Sequence, residues 1–135
     1  MQTIIKPKTL TLFLVCSLVV LLSSCLNQYE KDTLGFYKVG QYELIDSAKE
    51  LNYDLPTLTV KADKTFSIDF NNRKIEGKWK ADDYGDWTLI DFYFNGQDVQ
   101  GQIGIDEIAI LNPRQFDCPF LKKLVFKRTK KDTNN

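Results

Sequence analysis

The chain predicts an all-β protein, an up-and-down antiparallel meander of about eight short strands closing into a small barrel. Three observations carry that prediction. Segments 58–62, 65–70 and 75–81 alternate apolar and polar residues strictly, the period of a strand with one buried face. The gaps between them hold only short turn signals, which join antiparallel neighbours and leave no room for crossover helices. About eight such strands fall within roughly 95 residues, and closure is the arrangement that leaves no edge exposed.

Before the barrel comes a leader. The uncharged run Leu10–Leu22 follows Lys6 and Lys8 and ends on Ser23-Ser24-Cys25. A permanent membrane helix needs about 20 apolar residues, so this run is short. A basic start, a brief apolar stretch and small residues before a break describe a signal peptide, here residues 1–24. Residues 25–33 read as a linker, residues 34–128 as the barrel domain and residues 129–135 as a polar tail.

Within the barrel, 35–45 supplies the first strand, bent or broken at Gly40. Residues 46–52 suit a short helical segment capped by Asp46 or Ser47 and ended by Pro56. In 58–62, Leu58, Val60 and Ala62 share the inner face; in 65–70, Phe66, Ile68 and Phe70 do so, after a tight turn at Asp63-Lys64. In 75–81, Ile75, Gly77, Trp79 and Ala81 face inward, with Glu76, Lys78 and Lys80 outward. Strand 87–94 leads through Asn95-Gly96, the strongest short hairpin signal in the chain, to 97–105. An acidic turn at Asp106-Glu107 then precedes 108–111, and 120–128 completes the set.

Two resemblances add to this reading. Leu22-Ser23-Ser24-Cys25 resembles the bacterial lipobox, which implies that the Cys25 thiol receives a diacylglyceryl group and that cleavage makes Cys25 the first mature residue. Acylation then anchors the chain, since each buried methylene contributes about 0.8 kcal/mol. The second mature residue is Leu26 rather than an inner-membrane-retaining aspartate, so the outer membrane is favoured; Tyr29-Glu30-Lys31-Asp32 is similar to surface-export tethers. The stretch from Leu58 to Ile68, followed by Gly77-Lys78-Trp79 and closed by the apolar-basic strand at 123–128, resembles the small lipocalin-like lipoproteins of Gram-negative bacteria. That likeness covers roughly residues 34–128 and implies a lipocalin-like barrel.

Composition excludes several functions. The mature chain keeps all 18 acidic residues and loses Lys6 and Lys8 of the 18 basic ones, leaving a net charge of −2, which is not the balance of a nucleic-acid binder. With no histidine in the chain, histidine-dependent triads and a plausible zinc site fall away. Cys16 leaves with the leader and Cys25 takes lipid, so Cys118 has no disulfide partner and reads as a buried, inert thiol. No cofactor is expected.

Asp82, Asp83 and Asp86 cluster about Gly85 and are weak candidates for a calcium site; a solvated hairpin turn is the better reading. Strand 87–94 is apolar on both faces, which calls for a covering element or a partner. Trp79, Tyr84, Trp87, Ile90, Phe92 and Phe94 are therefore the candidate partner or ligand surface. If Ile90, Phe92 and Phe94 are covered, recognition falls to turns 82–86 and 112–119. The leading expectation is a non-catalytic, lipid-anchored module for a protein partner of inhibitor, immunity or envelope-assembly type. The alternative is a carrier of a small apolar ligand, and the third reading is a carboxylate-dependent carbohydrate-active enzyme.

Overall fold

The computed structural model describes residues 26–46, 54–70, 72–118 and 121–131. The leader, Cys25, the expected helical residues 47–52 and the end of the tail lie outside the described residues. Eight strands form one closed barrel: β1 (Gly35–Leu44), β2 (Thr57–Val60), β3 (Thr65–Phe70), β4 (Arg73–Asp83), β5 (Thr88–Phe94), β6 (Gln97–Gly104), β7 (Glu107–Ile110) and β8 (Leu121–Lys131). Each pairs antiparallel with its chain neighbour, and β1 also pairs with β8 to close the wall.

The alternation resolves as the sequence requires. Leu58, Val60, Phe66, Ile68, Trp79 and Ala81 are buried inside, while Glu76, Lys78 and Lys80 face water. Asn95 (φ 49°) and Gly96 (φ 70°) both take the left-handed conformation that suits a two-residue hairpin. Gly77 has a packing reason: a Cβ there would stand 2.0 Å from the Tyr93 carbonyl oxygen and 2.9 Å from the Phe66 ring. Its absence lets Phe66, directly opposite on β3, lie over the strand. Two residues on, the Trp79 indole N–H donates to the Lys61 carbonyl at 2.9 Å, fastening β4 to the β2–β3 turn.

The bend expected at Gly40 is present, and several element boundaries differ from the expectation. β1 is not broken at Gly40; its register against β8 shifts between Val39 and Gln41, a bulge that bends a continuous ten-residue strand. Thr129–Lys131 belong to β8 rather than to a tail, with Lys130 opposite Phe36 and Lys131 opposite Gly35. Residues 28–33, read as linker, form a helix, α1 (Gln28–Thr33).

Both ends of the barrel are plugged. At the end where β3 and β4 meet and β5 and β6 join, a 3-10 turn, η1 (Pro113–Phe116), inserts Phe116. The Phe116 ring stacks on Phe94 at 5.1 Å and meets Phe92 edge-on at 5.7 Å, and Phe66 meets Phe92 at 4.8 Å. These rings fill the axis near that end. Arg73 Nη1 donates to the Asp117 carboxylate at 2.8 Å and ties the plug to β4.

Each plug also holds one weak acid neutral. Burial pushes the Cys118 thiol from its ordinary 9.0 up to about 11, and its Sγ–H points at the Phe116 carbonyl 3.6 Å away. Tyr37, whose Oη–H donates to the Thr33 carbonyl at 2.6 Å, is likewise pushed by burial from 10.0 up to about 12. In both cases the unfolded chain deprotonates first, so stability is fully present below the unfolded values and falls as pH rises through the folded ones. Stability should therefore hold to about pH 9 and decline between pH 9 and 12, by roughly 2–3 kcal/mol for each group. Cys118→Ala should remove the lower step, between pH 9 and 11, in urea titrations run across that range; an unchanged profile would show the thiol to be solvated.

Candidate functional site

The opposite end of the barrel is closed by α1, and its construction follows from an overhang. β3 begins at Thr65, opposite Lys78, so β4 runs on beyond it and the Ala81 backbone has no β3 partner on that side. α1 supplies one. Asn27, its N-cap, accepts from the Glu30 N–H at 2.8 Å, and Glu30 Oε1 accepts from the Asn27 N–H at 3.2 Å, a reciprocal capping box. The same two side chains then turn to Ala81: Asn27 Nδ2 donates to its carbonyl at 2.9 Å, and Glu30 Oε2 accepts from its N–H at 3.4 Å.

Glu30 is buried although charged, with Lys64 Nζ 3.3 Å from Oε1. A buried carboxylate needs such partners to offset its desolvation, and here a helix cap, a strand backbone and a lysine share the task. The exit of α1 is satisfied as well. Arg128 Nη1 donates to the carbonyls of Asp32 at 2.6 Å and Leu34 at 3.2 Å, groups that a helix end leaves unpaired. Arg128 also pairs with Asp106 on the β6–β7 turn, which holds the Asp106 carboxyl below its ordinary range.

Between α1 and the turns lies a cleft of about 450 Å³, lined by Tyr29, Thr33, Thr88, Ile103, Ile105 and Arg128 among others. Its surroundings carry exposed apolar groups: Tyr29, Tyr84, Trp87 and Ile105 are 43%, 58%, 56% and 94% accessible. Tyr29 Oη donates to Asp83 at 2.8 Å, which raises the phenol above its ordinary range.

The sequence-derived candidates separate here. Trp79, Ile90, Phe92 and Phe94 lie in the core, so they form no surface for a partner; barrel closure, rather than a covering helix, buries that face of β5. Tyr84 and Trp87 remain exposed on the β4–β5 turn, joined by a backbone bond from Tyr84 N–H to the Trp87 carbonyl at 2.8 Å. Asp83 is spent on Tyr29 and on the Gly85 N–H at 3.2 Å. Asp82, Asp83 and Asp86 do not converge, and among the described residues no group of three or more acidic or thiol side chains is placed to hold a metal ion. Cys118 is buried in the η1 plug.

Two features escaped the sequence. The end-capping role of α1 was signalled only by the Asn27-x-x-Glu30 capping box. Asp91, on the outer face of β5, is buried and its carboxyl is raised above the ordinary range by desolvation and by Asp98 across the strand pair. Gln100 Nε2 approaches Asp91 at 3.4 Å. Among the described residues no helix is long and apolar enough to cross a membrane. Comparison with protein-family models, with curated proteins and with solved structures finds no match to this chain.

Proposed function

We propose that this chain is a lipid-anchored protein of the bacterial envelope, tethered through Cys25 with the outer membrane favoured, whose barrel is a non-catalytic binding module for a protein partner. The observation that supports this reading is the filled axis. Phe66, Phe92, Phe94 and Phe116 pack ring against ring inside the barrel, where an eight-stranded barrel has room for packed side chains or one small ligand, which favours recognition on the outside. With Ile90, Phe92 and Phe94 inside, the available surfaces are the turn-built ends, 82–87 and the η1 end, where Leu111 is 65% accessible. The leader and lipobox-like tetrapeptide support the anchor, and the small lipocalin-like lipoproteins are the family whose architecture this reading invokes.

The test joins the anchor to the partner. A photo-crosslinking residue at Leu111, introduced into the full chain in its own cells, should yield one discrete adduct with another envelope protein. Cys25→Ser should leave uncut precursor without lipid and reduce that adduct about tenfold or more, because an anchor raises the local concentration of partners on the same membrane. Mature, membrane-bound Cys25→Ser protein would contradict the anchor. Absence of any protein adduct from Leu111, with the chain lipidated, would contradict recognition at that end.

A further inference from the structure

The α1-capped end gathers four exposed large apolar side chains, Tyr29, Tyr84, Trp87 and Ile105. Single exposed apolar residues on a soluble domain mean little, but several together mark a contact surface. What covers them is indicated by the chain itself. Cys25 precedes Asn27 by two residues, and Asn27 is bonded to Ala81 on this same rim, while Leu26 packs against the core. Two residues of extended chain span at most about 7 Å.

We propose that this end lies against the bilayer, with Trp87, Tyr84, Tyr29 and Ile105 seated in its interfacial layer and the η1 end turned away toward the partner. The inference rests on the lipid anchor at Cys25 set out above. An acyl-bearing residue about 7 Å or less from the rim gives the barrel no tether on which to stand away from the membrane. The chemistry of the rim fits that position. Tryptophan and tyrosine combine an apolar ring with a polar edge and settle at the bilayer–water boundary. Ile105, nearly fully exposed at the tip of the β6–β7 turn, adds an aliphatic contact beside them. The charges around the rim are of both signs, with Lys31, Lys61, Lys64, Arg128, Lys130 and Lys131 beside Asp63, Asp83, Asp86 and Asp106. The contact is by ring and side-chain burial, so on phosphatidylcholine, which carries no net charge, it should be insensitive to salt.

The two tryptophans provide the readout, since Trp79 is buried in the barrel and Trp87 is 56% accessible. The full-length lipidated protein is reconstituted in phosphatidylcholine vesicles whose acyl chains carry bromine near the headgroup end. Trp87 emission should fall roughly twofold, because interfacial groups sit about 5–10 Å into the headgroup–acyl boundary, within reach of that bromine, with no change on adding salt. Trp87→Phe should abolish the quenching while Trp79 continues to emit. Lipidated protein whose Trp87 ignores bromolipid and is quenched by aqueous iodide would overturn this inference and leave the anchor reading intact. Absence of lipid on Cys25 would overturn both. Shielding of Trp87 that requires an added envelope protein would make the rim a protein site and likewise overturn the proposal.

Discussion

Phe92→Glu should leave the protein unfolded at room temperature. Phe92 is fully buried, 4.8 Å from the Phe66 ring and 5.7 Å from Phe116. Losing a buried phenylalanine costs about 3–5 kcal/mol, and an ionised carboxylate without a partner adds several kcal/mol more or forces protonation. The sum reaches the roughly 5–15 kcal/mol that stabilises a domain. Circular dichroism and amide exchange should show loss of the barrel, whereas Trp87→Glu on the exposed turn should stay within about 0.5 kcal/mol of the parent. A folded Phe92→Glu protein would place β5 with its apolar face outward and restore it as a docking strand.

Glu30→Ala should be the most damaging single change at the α1 end, at about 2–4 kcal/mol. It deprives the Ala81 N–H of its acceptor inside the barrel mouth, and an unpaired buried donor costs about 1–3 kcal/mol. It also opens the capping box, worth about 1 kcal/mol. Lys64, whose side chain is 41% accessible, can turn to water, so the full penalty of a stranded buried pair does not apply. Lys64→Ala should therefore cost less than Glu30→Ala. Urea unfolding checks both: the midpoint should move with the slope unchanged. A Glu30→Ala protein as stable as its parent would show that the helix is not held to β4 by this carboxylate.

The strand content was legible because a barrel wall imposes a period of two on every strand, and β2, β3 and β4 display it without interruption. The double apolar character of 87–94 was visible too, but its meaning was not. On an open sheet a second apolar face needs a cover; in this barrel the inner set, Ile90, Phe92 and Phe94, is buried by closure, while the outer set stays half-exposed at Leu89 and open at Tyr93. The two plugs were the least legible elements. α1 is six residues long, too short to show helical periodicity, and its stability comes from Ala81, more than fifty residues away along the chain. η1 offered only Pro113 at its start and Phe116 at its end, within a stretch that reads as turn. The raised carboxyl of Asp91 depends on burial by neighbouring strands and then on Asp98, which no local pattern encodes.

The proposed function joins a ring-packed barrel to lipidation at Cys25 and recognition on the outside of the molecule. Native mass spectrometry of the chain extracted from its own membranes tests that union most directly. The predicted result is a mature polypeptide beginning at Cys25, heavier by its acyl groups, with no further small molecule bound. A chain that retains residues 1–24, or one that carries a stoichiometric apolar ligand in addition to its anchor, would contradict it.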